Sequence, residues 1–263
     1  MLRHFLIAFM IICSVMLARG ASAGEDYFFR PKYPTVRYIS TEDLNNEYDK
    51  VVIVDVRSNV EFMAIHINKA ILIPLANDSF DREVKELREK HQAQPIVFYC
   101  NGHLCEKSYE ACERAASLGI KNILAYDSGI HDWVERYPDK TTLIGKTPAD
   151  RSKMIPTSEL QQHKLKWVEF AKKAYDRNTV IIDIREPMQR KDIIDLPGLK
   201  NIPSDKLIPL LKRNEFKGKT LLITDAVGKQ VEWLQYFFEE YGYKKYYFLE
   251  FGVLSAKEAN ATK

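Results

Sequence analysis

Two thiols, Cys100 and Cys105, lie five residues apart in the stretch YCNGHLCEKS at 99 to 108. Such a pair can act as a nucleophile with a helper, close a disulfide, or do nothing beyond packing. The flanking residues narrow the choice. Upstream, PIVFYC after Gln94 is a compact apolar run rich in β-formers, the pattern of a buried strand in a parallel sheet, so Cys100 ends a strand. Downstream of Ser108, Ala111, Ala115 and Leu118 fall at helical spacing and Gly119 supplies a left-handed cap, which predicts a helix over 108 to 118. A cysteine between a strand end and a helix N-terminus faces unpaired backbone N–H groups and the positive end of a helix dipole, and both favour thiolate. Cys100 is therefore the candidate nucleophile. The turn that follows it is Asn101, Gly102, His103, Leu104, Cys105, Glu106 and Lys107.

The elements that must position this loop belong to an ordinary globular composition: 263 residues, 46% hydrophobic and 29% charged, enough for one large domain or two smaller ones. Residues 1 to 23 differ. Arg3 and His4 precede the apolar run FLIAFMIICSVML, and Ala-Ser-Ala at 21 to 23 offers small residues before Gly24, which predicts an export signal cut after Ala23 and a periplasmic or secreted protein. The run is short for a membrane span, so no stable span is expected after cleavage. Loss of Arg3 and Arg19 takes two charges from the formal +3, a balance that implies no nucleic-acid partner. Cys100, Cys105 and Cys112 then remain, an odd number in an oxidising compartment, so at least one thiol has no internal partner. No Cys-x-x-Cys pair or zinc-finger spacing occurs, and neither a metal nor another cofactor is expected.

The chain also repeats itself. VVIVDVRSNVEF at 51 to 62 is echoed by TVIIDIREPMQR at 179 to 190, PIVFYCNGH by TLLITDAVG, and LGIKNILAYDSGIHDW by YGYKKYYFLEFGVLSA. ISTEDL and IPTSEL read as matching starts of a short helix. The first copy orders as strands at 51–56, 70–73, 95–100 and 122–126, with helices near 80–90, 108–118 and 130–136, ended by Pro138. The second opens with a longer helix over 158–176, carrying a weak stripe of Leu165, Val168 and Ala171. The expected organisation is an α/β fold of two domains, 39–145 and 155–258, joined by a polar linker at 146–154. Each is a parallel sheet flanked by helices on both faces. Ligands of such sheets bind beyond the carboxyl ends of strands, where Cys100 stands.

These residues resemble the rhodanese family of sulfurtransferases in tandem-domain form. The resemblance rests on Asp55-Val-Arg57, Glu61-Phe62, His66-Ile67, Ala70, Ile73-Pro74, Cys100 and the closing Tyr126-Asp127-Ser128-Gly129-Ile130 with Trp133. It implies that a low-pKa cysteine, here Cys100, takes the outer sulfur of a small anionic donor such as thiosulfate, holds it as a persulfide, and passes it to cyanide or a thiol, including one on a carrier protein. It also implies that residues 101–107 form the anion-binding loop, whose N–H groups make the cradle, with Lys107 as its cation and His103 a second when protonated. Two departures stand out. Ile65 replaces the glycine before His66, and Lys107 and Ser108 come seven and eight positions after Cys100, so the loop is two residues longer than the family's. A wider loop fits a larger anion. Lysine in place of arginine, a point charge in place of a bidentate fork, ranks sulfur transfer above phosphoryl or arsenate chemistry.

Asp55, Arg57 and Glu61 read as an ion-pair and hydrogen-bond set supporting the turn, and His66 as a packed histidine. Cys112 and the aromatics Trp233, Tyr236, Phe237 and 246–248 read as core. In the second copy Asp225 stands where Cys100 does, and a carboxylate cannot carry sulfane sulfur, so that copy is expected to be inactive. Two rival readings stay open: a periplasmic thiol-redox protein using a Cys100/Cys105 disulfide, and a binding module without catalysis.

Overall fold

The structure, a computed structural model, describes residues 27–261; the expected export signal at 1–23, with Cys13, lies outside them. In chain order the first half contains α1 (Thr41–Asn46), β1 (Val52–Asp55), α2 (Asn59–Ala64), β2 (Ile65–Ile67), β3 (Ile71–Leu72), α3 (Phe80–Lys90), β4 (Ile96–Tyr99), α4 (Lys107–Ser117), β5 (Ile123–Tyr126), α5 (Gly129–Arg136) and β6 (Thr141–Leu143). The second contains α6 (Thr157–Gln162), β7 (Lys164–Leu165), α7 (Trp167–Lys173), β8 (Thr179–Asp183), β9 (Lys200–Asn201), α8 (Ser204–Lys212), β10 (Thr220–Thr224), α9 (Gln230–Glu240), β11 (Tyr246–Leu249) and α10 (Gly252–Ala261). Among these elements no helix is long and apolar enough to cross a membrane.

Two parallel sheets result, ordered β3-β1-β4-β5 and β9-β8-β10-β11-β7, while β2 and β6 pair antiparallel beside the first. The two central strands of the first sheet, β1 and β4, are buried on both faces, as their apolar runs require. Alternate residues divide between two cores. Val52, Val54, Ile96, Phe98 and Cys100 pack with α3 and α4. Ile53, Val97, Tyr99, Leu124 and Tyr126 face α1, α2 and α5. That second core continues without a break into Ile182, Leu221 and Ile223 of the other sheet with its α8 and α9, so α2 of the first half packs on α8 and α9 of the second. The far face of the second sheet is closed by α7 and α10 over Ile181, Leu222 and Leu249.

The long helix expected over 158–176 is instead two short helices separated by β7. The edge of β11 presents unpaired backbone groups, and Lys164 and Leu165 fill them opposite Phe248 and Leu249. The apolar stripe was too weak to compete: Val168 is 76% exposed, and Lys166 is extended at φ −64 and ψ 155. The register of the repeat changes with it. Tyr38 bridges Ala125, the third residue of β5, as Lys164 pairs with Phe248, the third residue of β11. Structurally, Tyr38 to Thr41 therefore match Lys164 to Trp167, and the fully buried Leu44 matches the fully buried Phe170. ISTEDL corresponds to the start of α7 rather than to IPTSEL. Ser40 caps α1 through the N–H of Asp43, whereas α6, begun at Pro156, is an addition with no side-chain cap.

Candidate active site

Cys100 follows the last residue of β4, and its side chain points to the α4 side with no exposed surface. Helix α4 begins at Lys107, one residue earlier than expected, which puts Ser108 inside its first turn, fully buried, with Oγ 3.8 Å from Cys100 Sγ. Between them the loop doubles back: the N–H of Cys105 donates to the carbonyl of Gly102 at 2.8 Å, and the thiol of Cys100 donates to the carbonyl of Cys105 at 3.2 Å. Leu104 forms the tip and is 89% exposed. The loop rests on the start of α5, where Ile130 donates to the carbonyl of Cys100 at 3.0 Å. Gly129 makes this approach possible. Its φ is +65°, and a Cβ there would collide with the backbone of Asn101 and Gly102.

The two thiols sit in opposite environments. Burial pushes the Cys100 thiol well above the ordinary range, and its neighbour Cys105 adds to the shift. Cys105 is half-buried, and it is held down at about 6 by a hydrogen bond from Cys100, by backbone N–H groups of Asn101 and Lys107, and by the charge of Lys107, against the opposing effect of burial. The loop thus aims N–H groups at both sulfurs: those of Asn101 and Lys107 at Cys105, and the N–H and hydroxyl of Ser108 at Cys100, where burial outweighs them. All three cysteines of the described residues are free thiols, and Cys112, 2% exposed, lies in the α4 core with its thiol pushed up by burial.

Behind the loop is a buried polar chain. Arg57 and Asp55 are both 0% exposed and joined at 2.6 Å, with a second bond from Arg57 Nε. Arg57 Nη2, which bonds Asp55, also donates to the carbonyl of Ile65 at 2.6 Å, and Nη1 donates to Asn101 Oδ1 at 3.0 Å. Asn101 Nδ2 in turn donates to Glu61 at 2.8 Å, and Glu61 closes a capping box with Ser58 at the start of α2. Burial works to raise the Glu61 carboxyl, but the charges of Arg57 and Lys107 and the hydrogen bonds of Ser58 and Asn101 outweigh it and hold it down. Asn101 is therefore the bolt between the loop and the buried ion pair. His66 stacks on Phe62 with centroids 4.0 Å apart, donates from Nδ1 to the Phe62 carbonyl at 2.7 Å, and has its pKa lowered by burial.

Three further contributors were not singled out in the sequence. Residues 27 to 33 lie across the loop: Tyr27 stacks on His103 at 4.5 Å, Lys32 pairs with Glu106 at 2.6 Å, and Arg30, between the rings of Tyr27 and Tyr38, binds the nearly buried Asp127 at 2.7 Å. Its signal was the aromatic and basic cluster YFFRPKY just before the first expected element. His131 of α5 and Trp233 of α9 stack at 5.7 Å, and Trp233 also lies 5.4 Å from the Arg57 guanidinium. Trp233, expected as core of the second half, thus seals the seam between halves beside the site. No sequence signal distinguishes it from its core neighbours. Among the described residues no group of His, Cys, Asp or Glu is arranged to hold a metal ion.

The matching loop of the second half runs from Asp225, at the end of β10, to α9. Here the Asp225 carboxylate turns into its own loop and accepts N–H groups from Gly228, from Gln230 at 2.6 Å and from Val231 at 3.2 Å. Burial nevertheless raises its pKa, against the effect of those donors. Gly252 repeats the role of Gly129, with φ +58° and a close approach to the Asp225 backbone.

A parallel sheet with a thiol loop between a strand end and a helix defines the class of site, and comparison with known proteins agrees. Residues 40–136 match the sequence profile of the rhodanese-like domain. Over 120 residues, 41% of this chain and 85% of the relative, the chain is 29% identical to the thiosulfate:glutathione sulfurtransferase of Saccharomyces cerevisiae. Among solved structures, the thiosulfate sulfurtransferase of Pseudomonas aeruginosa is 17% identical, aligns over 85% of this chain and 44% of its own, and has a TM-score of 0.36. The As-Sb reductase of Leishmania major is 17% identical over 41% of this chain and 86% of its own, with a TM-score of 0.36.

Proposed function

We propose that the protein is an exported sulfurtransferase of tandem rhodanese-like design, which moves sulfane sulfur from a thiosulfate-like donor to a thiol or cyanide through a persulfide on Cys100. The observation that carries the reading is the loop of 101–107, which gathers backbone N–H groups and Lys107 around a sulfur between β4 and α4, within the segment that matches the rhodanese-like profile. The yeast relative, named for thiosulfate and glutathione, supports a small anionic donor and a thiol acceptor. The second half, with Asp225 in place of the cysteine, acts as a non-catalytic partner that closes the site through Trp233. Export rests on residues 1–23, and N-terminal sequencing of the secreted protein should begin at Gly24. For the chemistry, incubation with thiosulfate should add one sulfur atom by intact mass, and fragmentation at equilibrium should place it on Cys100. No adduct with thiosulfate or other sulfane donors would refute this function.

The contact between the two sulfurs favours a second reading, reversible thiol redox through a Cys100/Cys105 disulfide. It requires both thiols to disappear together on mild oxidation and return on reduction.

A further inference from the structure

Sulfur transfer through this loop meets an obstacle of access. Cys100 has no exposed surface, and its sulfur is enclosed by Ser108, Tyr109 and the carbonyl of Cys105. A charged donor would have to shed its hydration and pass through the loop to reach it. Cys105 is the more exposed of the two, half-buried, between the N–H groups of Asn101 and Lys107 and within hydrogen-bond reach of Cys100. Its chain neighbour Leu104 is 89% exposed.

We infer that Cys105 is the outer acceptor of the site, taking sulfane sulfur from the donor and handing it inward to Cys100. The inference rests on the sulfurtransferase reading and adds a residue to it. In the first step the Cys105 thiolate attacks the outer sulfur of thiosulfate. The donor's S–S bond breaks and its electron pair leaves with sulfite, so Cys105 becomes a persulfide whose negative sulfur takes the place of the thiolate in the N–H cradle. In the second step the Cys100 proton passes to that outer sulfur, and the Cys100 sulfur attacks it. The bond between Cys105 and the outer sulfur breaks, and the electron pair returns to Cys105 as thiolate. No outside oxidant or reductant is consumed. The direction follows from thiol exchange: a more basic thiol is the stronger nucleophile and a less basic one the better leaving group, and Cys100 lies above the ordinary range while Cys105 lies near 6. Discharge to an acceptor runs the relay backward. The arrangement also gives a reason for the two extra loop residues, since they supply the room for a second sulfur outside the first.

The test is rapid-quench intact mass with fragment mapping on the full chain, using thiosulfate alone as donor, for wild type, Cys105→Ser and Cys100→Ser. Cys105→Ser should load sulfur on the order of a hundredfold more slowly than wild type. Cys100→Ser should take up one sulfur, mapped to Cys105, and store none at position 100; should serine fail to fold in that apolar setting, Cys100→Ala serves instead. Loading of Cys100 in Cys105→Ser at the wild-type rate would overturn the relay and leave the sulfurtransferase reading standing. So would loss of all loading in a folded Cys100 variant, or an end product that is a Cys100/Cys105 disulfide with free sulfide, because Cys100 would then attack the inner sulfur. Absence of loading in wild type would remove the function and the relay together.

Discussion

The loops after β4 and β10 are built on one frame and put to different ends. In both, a strand ends, the chain turns over a glycine at a helix start, Gly129 or Gly252, and N–H groups converge on the turn. After β10 the strand-end residue is Asp225, whose own carboxylate accepts three of those N–H groups, so the cradle is filled from within. After β4 it is Cys100, whose sulfur points away into the α4 core, and the cradle closes around Cys105. The lesson is that the frame makes an anion site by default, and the strand-end side chain decides whether the protein keeps that site for itself.

The same motif supports both turns, and that permits the largest test. Asp183 and Arg185 repeat the Asp55–Arg57 pair, buried and joined at 2.8 Å, but Arg185 turns its other N–H groups to the carbonyls of Gln189 and Asp192, whereas Arg57 reaches Asn101 in the loop. Removing either arginine strands a buried carboxylate. Arg57→Ala and Arg185→Ala should each cost about 3–5 kcal/mol in urea unfolding. Lysine separates them, because it keeps charge but lacks the fork. Arg57→Lys should slow alkylation of Cys105 by iodoacetamide, and Arg185→Lys should leave it unchanged. Equal slowing by both would mean that Asn101 does not tie the loop to the ion pair.

A smaller effect tests whether the second cradle is filled. Asp225→Ala leaves three inward N–H groups without an acceptor and should cost about 1–3 kcal/mol near neutral pH. Because burial raises the Asp225 pKa in the folded state, the stability contributed by its titration is fully present below the ordinary carboxylate range and lost as pH rises through the raised value. The margin of wild type over Asp225→Ala, followed by thermal unfolding, should therefore narrow from acid toward neutral pH. A margin that widens with pH would mean that the donors, not burial, govern the carboxylate.

The frame itself was legible in the sequence because its causes are local. Apolar runs of strand length, glycines ten residues apart and the Asp-x-Arg pairs each express a backbone or pairing need within a few residues, so β1, β3, β4, β5, α3, α4 and α5 fall within a residue or two of expectation. What was not legible depends on partners distant in sequence. The split of 158–176 into α6, β7 and α7 is decided by the open edge of β11, some eighty residues on. Trp233 differs from its apolar neighbours only in facing Arg57 and His131 across the seam. Which of Cys100 and Cys105 is buried and which is partly exposed depends on how the loop folds back, and spacing alone records only that both are there.

The smallest expected effect concerns the lysines at the two helix starts. Lys107 acts through its charge on Cys105, while Lys229 stands exposed at the start of α9, where Asp225 is already held by backbone. Lys107 is itself partly exposed, so solvent screens it, and it is only one of several causes that hold Cys105 down, behind the Cys100 hydrogen bond and the N–H groups. Lys107→Met should accordingly move the midpoint of Cys105 alkylation upward from about 6 by only about half a pH unit, equivalent to under about 1 kcal/mol. The shift should shrink further in high salt, and Lys229→Met should produce none. A shift of several units in Lys107→Met would mean that a point charge, rather than the backbone frame shared with the second half, makes the Cys105 thiolate.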